Sequence, residues 1–456
     1  MTGTDAASPV PPPAASARAS WRDSLAVYLQ PRVLIVMFLG FASGLPLALS
    51  GSTLLVWMRE AGVDLGTIGL FALVGTPYTL KFLWAPLVDA LHVPLLSRWL
   101  GRRRGWLVTA QLLLIAAILL LAITDPARSP LLVALGALLV AAASATQDIV
   151  VDAFRVESLP ENEQAAGMAS YVAAYRIGML VSTAGALFLV SAYEGAGLTR
   201  GAAWMWGYCS MAALVLIGTV TALVATEPEQ SRLADQATSG EGAFKRVLHA
   251  AIGAFSEFLT RPDAAAVLAF VVLFKFTDAF SGTMTAPFVI DLGYSRNDYA
   301  AIVKGVGLVA TLIGGFAGGY VARRYSLVAS LWIGAVVQAL SNLAFAWLST
   351  VAVSQWALAL AISVENFTGA IGTVIFVAYL SALCRNPLHT ATQYALLTAL
   401  AAVGRTYLSA GAGYVAAATG WPAFFSISVA MALPSLLLLA WLQRRGHFAA
   451  LGPVKV

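Results

Sequence analysis

Ionisable side chains interrupt the apolar stretches of this 456-residue chain. A charge at the centre of a bilayer costs about 2.5–3.5 kcal/mol on insertion scales, so such groups face one another or a wet cavity. The basic residues within apolar stretches are Lys81, Arg176, Lys275, Lys304 and Arg405, and the acidic residues are Asp148, Asp278 and Glu365. Buried cations bind anionic groups and buried carboxyls exchange protons, so the predicted chemistry is ion and proton binding within a membrane.

The composition also indicates a membrane protein. Hydrophobic residues make up 59% of the chain and charged residues 11%, about half the charged fraction of a soluble protein. The net charge of +5 fits basic residues that set membrane orientation, so we expect no nucleic-acid partner. Cys209 and Cys384 lie in different halves without metal-ligand spacing.

An enzyme is not expected. The chain has no phosphate-binding loop of the G-x-x-x-x-G-K-[ST] type, no pair of histidines at zinc spacing and no convincing nucleophile with a base. The four histidines, His92, His249, His389 and His447, fall in predicted cytoplasmic loops or tails. We therefore predict no catalytic residues, no metal and no cofactor, and any energy source would be a proton gradient.

Apolar runs long enough to cross a bilayer recur along the chain, since a span needs about 20 such residues. The predicted spans are 33–57, 66–88, 106–124, 130–157, 165–191, 202–225, 264–289, 298–321, 326–348, 352–381, 390–416 and 421–443. With the N-terminus inside, eighteen basic residues lie in inner segments and four in outer loops. The predicted fold is an all-α polytopic membrane protein of 12 transmembrane helices with both termini cytoplasmic.

The two halves look like repeats. "VWMREAGVDLGTIGL" after the first span parallels "FVIDLGYSRNDYAAI" after the seventh, and Gln164 and Arg176 correspond to Gln393 and Arg405. Two six-helix pseudo-repeats with a cavity between them describe the major facilitator architecture. The predicted parts are a disordered tail (1–30), a six-helix bundle (31–226), a cytoplasmic linker with an amphipathic segment (227–263), a second bundle (264–445) and a tail (446–456).

The stretch "SATQDIVVDAFRVESLP" places Asp148, Asp152 and Arg155 on one face of the fourth span. Asp152 and Arg155, with Glu157, are expected to form a salt-bridge cluster at the inner gate. Asp148 is either a structural partner of a cation, with Arg176 the obvious candidate, or a substrate or proton site.

Two further sets of residues leave alternatives open. Lys275 and Asp278 either neutralise each other or form a switch in which protonation of Asp278 releases Lys275 to an anionic group. Glu365, beside Asn366, either carries protons or pairs with Lys304 or Arg405.

Long motifs carry a resemblance to the AmpG muropeptide permease family of the major facilitator superfamily. They include "SATQDIVVDAFRVESLP", "GRRRGWL", "YRIGMLVS", "KFTDAFS", "VENFTGAIGT" and "ATQYALLTALAAVGR", and the resemblance covers roughly 33–442. It implies a monomeric, multi-pass permease of the bacterial inner membrane. Such a permease imports N-acetylglucosaminyl-anhydromuramyl peptides from periplasm to cytoplasm by proton symport, for cell-wall recycling linked to β-lactamase induction. The alternative is a related facilitator for another bulky anion, such as an acyl-coenzyme A.

The resemblance and the residue types together assign three sets of site residues. The predicted substrate-binding residues are Lys81, Gln147, Arg176, Lys275, Asn366, Arg405, Tyr78 and Tyr175. The predicted proton-coupling residues are Asp148, Asp278 and Glu365. The predicted gating residues are Asp89, Arg102, Arg103, Arg104, Asp152 and Arg155. The arginines after Asp89 either latch the inner side or only set topology.

Overall fold

The computed structural model describes residues 26–228, 260, 263–383 and 390–451. The amphipathic segment predicted at 244–259, Cys384 and most of the two tails lie outside the described residues. Within the described helices, the side chains of Asp89, Gln164 and 390–396 are also outside the description.

Apolar sequence gives long helices at the predicted places, and within the described part ten are long and apolar enough to cross a membrane. They are α1 (Pro31–Glu60), α3 (Arg102–Ala122), α4 (Pro130–Ser158), α5 (161–195), α6 (Arg200–Val224), α7 (Ala264–Asp291), α8 (Arg296–Arg324), α9 (Leu327–Leu348), α10 (Gln355–Leu383) and α12 (Trp421–Arg444). A short connecting helix, Leu96–Leu100, precedes α3, and His447–Leu451 follows α12.

The second and eleventh predicted spans are helical but interrupted. α2 (65–90) consists of Leu65–Leu70, Thr76–Leu80 and Ala85–Ala90 joined through 3₁₀ turns, and α11 (390–419) has a 3₁₀ turn at Leu408–Gly411. In α2, two proline-initiated helical pieces follow the 3₁₀ turns, because proline suits the first turn of a helix and not its interior. Twelve spans and cytoplasmic termini therefore stay predictions.

Several helices are irregular in the middle. π-helical turns occupy Leu49–Thr53 in α1, Val181–Gly185 in α5 and Tyr299–Val306 in α8, and α7 breaks at Lys275. Such turns inside α-helices are frequent at functional sites. They place the irregular backbone on helices that contribute to one central cavity.

The sequence repeat is visible in the backbone. α1 and α7 are each followed by a glycine with positive φ, Gly62 at 83° and Gly293 at 94°. Two residues later, Asp64 and Ser295 cap the next helix by accepting hydrogen bonds from the backbone N–H groups of Thr67 and Asp298. The outer ends of α1 and α7 are therefore equivalent in the two halves.

Each half is held together by close helix contacts through glycine. Gly44 brings α1 against α5, and a Cβ there would lie 2.1 Å from the carbonyl oxygen of Tyr175. Gly314 brings α8 against α10, where a Cβ would lie 2.3 Å from the carbonyl oxygen of Phe367. Small residues allow this approach in a lipid environment, where packing rather than water exclusion drives association.

Candidate functional site

A cavity of about 640 Å³ lies between the two halves. α1, α2 and α5 line it from the N-terminal half, and α7, α8, α10 and α11 from the C-terminal half. The π-helical turns of α1, α5 and α8 all contribute lining residues. The place of this cavity agrees with the predicted site between the repeats.

The cavity brings together many of the predicted site residues. Those that line it are Tyr78, Arg176, Asp278, Glu365, Asn366 and Arg405. Those that lie outside its lining are Lys81, Gln147, Asp148, Tyr175 and Lys275. Lys304, which was not assigned a role in substrate binding from the sequence, also lines the cavity.

Three basic side chains face this cavity from different helices. They are Arg176 on α5, Lys304 on α8 and Arg405 on α11. Among the described residues, no carboxylate lies within ion-pair distance of these three groups, although the Lys304 ammonium lies 5.4 Å from the Tyr299 ring centroid. Their charges are therefore available to an anionic ligand.

Lys275 and Asp278 form an ion pair, with the ammonium 2.7 Å from a carboxylate oxygen. The break at Lys275 ends the first part of α7, and Asp278 lies one turn later. The Lys275 ammonium also donates to Thr373 at 3.0 Å and to Gln338 at 3.4 Å. Lys275 is thus held by α7, α9 and α10, and it does not line the cavity.

Glu365 is held by an amide. Its carboxylate accepts a hydrogen bond from the Asn366 side chain at 2.8 Å, and the Thr311 hydroxyl donates to the Asn366 side-chain oxygen at 3.1 Å. Neither Lys304 nor Arg405 forms the ion pair with Glu365 that the structural alternative required. The carboxyl lies in the cavity lining beside the charge of Asp278.

Asp148 lies in a buried polar cluster of the N-terminal half. The Gln147 amide donates to the Ser43 hydroxyl at 3.1 Å. One oxygen of Asp148, the Ser144 hydroxyl and the Tyr78 hydroxyl are buried without a hydrogen-bond partner in the described structure. Buried polar atoms of this kind are satisfied by ordered water or a ligand.

The cation next to Asp148 was predicted incorrectly. Lys81 on α2, rather than Arg176 on α5, is the basic group whose charge acts on Asp148, and it acts on Asp152 as well. α2 changes from α-helix to a 3₁₀ turn at Lys81, which alters the direction of the side chains that follow Tyr78. The charge of Lys81 therefore acts on the α4 carboxylates Asp148 and Asp152, whereas Tyr78 lines the cavity.

At the predicted inner end, Arg103 and Arg104 at the start of α3 bind Glu157 of α4 and Glu227 of the predicted linker. The Arg103 guanidinium pairs with Glu157 at 2.5 Å, and the backbone N–H groups of Arg103 and Arg104 donate to Glu227 at 2.8 and 3.1 Å. The expected cluster of Asp152, Arg155 and Glu157 is divided.

Arg155 and Asp152 approach to 3.9 Å, while Glu157 turns to Arg103. Arg102 is buried at the start of α3. The predicted contact of Asp89 with these arginines falls on a side chain outside the described ones. The gating roles of all six residues stay predictions.

Sequence reasoning missed a second set of charges at the predicted outer end. Arg296 donates to Glu60 at 2.7 and 2.8 Å and to Glu194 at 2.8 and 3.2 Å. Arg59 pairs with Asp291, which also accepts a hydrogen bond from the Trp421 indole at 3.2 Å. Every ion pair between the halves that joins described residues belongs to this set, which we call the outer gate.

Backbone contacts reinforce the outer gate. A Cβ at Gly413 of α11 would lie 1.7 Å from the carbonyl oxygen of Leu65, and one at Gly69 of α2 would lie 2.7 Å from the Gly413 nitrogen. α2 and α11 therefore touch at their outer ends with no space for a side chain. The cavity is closed on this side.

The signal for the outer gate was present in the repeat. Arg59 and Arg296 were used only to assign topology, yet both lie in the two stretches recognised as equivalent. Each stretch contains an acidic residue two positions before its positive-φ glycine, Glu60 in one and Asp291 in the other. Carboxylates at equivalent positions were the available signal, although the arginines that bind them are not at equivalent positions.

Comparisons with known proteins agree with this architecture. A sequence model of the Major Facilitator Superfamily matches residues 36–407. The anhydromuropeptide permease of Escherichia coli (strain K12) is 40% identical over 416 residues, which cover 91% of this chain and 80% of that protein. A putative transporter, AmpG 4, of Rickettsia felis is 35% identical and covers 92% of this chain and 98% of that protein.

Solved structures show the same fold. The nucleoside transporter NupG matches with a TM-score of 0.65 at 14% identity, covering 92% of this chain and 98% of that one. A D-xylose–proton symporter matches with a TM-score of 0.63 at 15% identity, covering 90% of this chain and 97% of that one. At sequence identities this low, the similarity is evidence for the fold alone.

Proposed function

Because the chain belongs to the Major Facilitator Superfamily and, within it, to the anhydromuropeptide permease family, we propose that it imports anhydromuropeptides into the cytoplasm. The chain is a multi-pass transporter of the bacterial inner membrane and not an enzyme. Its cargo would be a sugar–peptide conjugate that carries several carboxylates. Those carboxylates are the groups that a membrane cavity must neutralise.

The observation that carries the proposal is the set of three cations in the cavity. Arg176, Lys304 and Arg405 lie on three helices of both halves and have no carboxylate partner among the described residues. Arg176 and Arg405 are exposed to the cavity and Lys304 is half-buried, and an anionic ligand would neutralise their charge within the membrane. Guanidinium groups suit carboxylates in particular because they present paired donors.

Polar neutral groups complete the cavity. Tyr78 and Asn366 line it, and Thr183 and Thr283 add hydroxyls from α5 and α7. Sugar hydroxyls and peptide amides need such donors and acceptors once they leave water. Lys81, Gln147 and Tyr175 lie behind this surface, where their proposed part is to hold the residues that touch the substrate.

Transport would proceed by alternating access. The outer gate closes the cavity on the predicted periplasmic side, so the opposite side is the route of release. Import requires the outer gate to open, admit the substrate and close again as the halves rock. Asp89, Arg102, Arg103, Arg104, Asp152 and Arg155 are the proposed inner counterparts of this gate.

Proton coupling would use carboxyls that the cavity or the buried cluster contains. Asp278 and Glu365 line the cavity, and Asp278 is paired with Lys275. Protonation of Asp278 would break that ion pair, after which Thr373 and Gln338 still hold the Lys275 ammonium. Asp148 is a third candidate, with Lys81 as its cation.

The experiment is uptake of labelled anhydromuropeptide by the purified protein in liposomes, with and without an inward proton gradient. Uptake that an ionophore abolishes supports proton symport, and uptake indifferent to the gradient leaves a facilitator. No uptake of muropeptide, together with uptake of an acyl-coenzyme A under the same conditions, would overturn the proposal.

A further inference from the structure

The connection between α2 and α3 exposes three large apolar side chains. Leu91 is 52% exposed, Leu95 67% and Trp99 84%, all within nine residues. Apolar side chains this exposed and this close together mark a surface that another phase or molecule covers.

The connection is rigid. Ser97 is buried against Gly105, where a Cβ would lie 2.8 Å from the Ser97 hydroxyl, and this hydroxyl accepts a hydrogen bond from the Val93 N–H at 2.9 Å. The Trp106 indole donates to the Leu91 carbonyl at 2.8 Å. The helix Leu96–Leu100 is therefore fixed to the first turn of α3.

A strained turn presents the apolar residues. Leu95 has φ 68° and ψ −59°, and the Leu96 N–H donates to the Pro94 carbonyl at 2.8 Å. This is a γ-turn, a rare conformation for a residue with a side chain. The turn leaves the Leu95 side chain exposed to the surroundings.

The position of the connection identifies what covers it. Trp99 is three residues before Arg102, where the membrane-spanning α3 begins, so the two lie within about 10 Å. Tryptophan favours the boundary between lipid and water, and arginines beside such a surface attract anionic headgroups. Arg98 is exposed next to Trp99, so its charge is available to such headgroups.

We propose that Leu91, Leu95 and Trp99 form an interfacial anchor that inserts into the headgroup region of the predicted cytoplasmic leaflet. Arg98 binds the anionic phospholipid there. Because the anchor is fixed to α3 through Ser97, it holds the inner end of α3 at a set depth in the membrane. This inference does not depend on the identity of the transported substrate.

The test measures the depth of a spin label in the full-length protein. Cys209 and Cys384 are replaced by serine, and Leu95→Cys or Trp99→Cys is labelled with a nitroxide. The protein is placed in nanodiscs of phosphatidylcholine with and without phosphatidylglycerol. The collision rates of the label with oxygen, which partitions into lipid, and with a water-soluble nickel complex give the depth.

Two matched positions calibrate the measurement. Leu113→Cys lies in the middle of α3 with a side chain 60% exposed, and Arg128→Cys lies in the opposite loop with a side chain 87% exposed. We expect both anchor labels to fall between these references, with oxygen favoured at least threefold over the Arg128 position. We also expect the anchor labels to lie deeper when phosphatidylglycerol is present, because Arg98 binds its headgroup. Arg98→Gln should reduce this increase in depth at least twofold.

Two outcomes would overturn the proposal. Labels as accessible to the nickel complex as the Arg128 position would place the connection in water. Labels protected from both reagents would show that another segment of the chain or a second protein covers these residues. Each outcome is read from the label alone and is independent of any transport measurement.

Discussion

Glu60 and Asp291 occupy equivalent positions in the two halves, and each binds an arginine of the opposite half. Both lie two residues before a positive-φ glycine at the outer end of their helices. Glu60 binds Arg296 and Asp291 binds Arg59, so two carboxylates at equivalent positions each form an ion pair across the cavity, although the two arginines are not at equivalent positions. Opening the cavity outward requires both pairs to separate together.

Loss of Arg296 should open the outer gate. Its side chain is 7% exposed and binds Glu60 and Glu194, so Arg296→Gln leaves Glu60 without its cation and Glu194 with only the more distant Arg200, at 3.6 Å, among the described residues. Breaking a buried ion pair costs about 3–5 kcal/mol, and even half of this would shift the closed–open equilibrium more than tenfold. A cysteine in the cavity, Thr283→Cys, should then react at least tenfold faster with a membrane-impermeant thiol reagent added outside.

The matched control for the gate variant is Arg128→Gln. Arg128 belongs to the same predicted side, but its side chain is 87% exposed and its one ion pair with a described residue is to the exposed Asp125. Exposed ion pairs contribute about 0–1 kcal/mol. In Arg128→Gln, the cysteine of Thr283→Cys should therefore react with the thiol reagent within twofold of its rate without that substitution. Equal rates in Arg296→Gln and Arg128→Gln would contradict the assignment of the outer gate.

The contact between α2 and α11 should be intolerant of one added methyl group. A Cβ at Gly413 would meet the Leu65 carbonyl at 1.7 Å, whereas a Cβ at Gly411 would meet nothing within 4 Å. Overpacking costs about 1–3 kcal/mol, so Gly413→Ala should reduce uptake about tenfold or more while Gly411→Ala leaves it nearly unchanged. Normal uptake by Gly413→Ala, in protein of equal abundance in the membrane, would rule out a close backbone contact as a requirement of closure.

The helix positions could be predicted because each helix depends on a local run of apolar residues. The bounds of α4 and α9 differ from the predicted spans by one residue at one end, since long apolar runs leave few alternatives in a membrane. The cavity residues on α5 and α11, Arg176 and Arg405, followed from the repeat. Polar side chains in apolar helices have to face the protein interior, so their convergence was also predictable.

The outer gate and the partner of Asp148 were not predictable in the same way. Arg59 and Asp291 are 232 residues apart, and a single sequence carries no sign of which charges meet. Lys81 rather than Arg176 is the cation whose charge acts on Asp148, and Lys81 begins a 3₁₀ turn in α2 that the apolar pattern did not predict. The local sequence pattern therefore predicts the helices, whereas the partners of these charged residues are seen only in the folded chain.

Asp64 should make a stabilising contribution that disappears in acid. The Thr67 hydroxyl and backbone N–H donate to its carboxylate, which lowers the pKa of Asp64 below its ordinary value of about 4. A depressed folded pKa means stabilisation that is complete above pH 5 and is lost as the pH falls through the folded value. Asp64→Ala should cost about 1 kcal/mol at pH 7, measured by thermal unfolding in detergent, and less at pH 3.

The control for Asp64 is Asp64→Asn, which keeps the cap without the charge. Its difference from Asp64→Ala should be independent of pH, because asparagine does not titrate. If the difference in stability between the parent protein and Asp64→Ala stays constant from pH 7 to pH 3, the carboxylate charge does not stabilise this helix end.

Glu365→Gln separates proton coupling from substrate exchange. The glutamine keeps the size of the side chain and can still accept the hydrogen bond from Asn366, but it cannot take up a proton. Gradient-driven accumulation in liposomes should fall at least tenfold, whereas exchange between equal substrate concentrations, which needs no net proton movement, should fall far less. Asp125→Asn, at an exposed carboxyl of the opposite loop, should change neither. Parallel losses of accumulation and exchange would assign Glu365 to substrate binding or folding, and unchanged accumulation would move the proton site to Asp278 or Asp148.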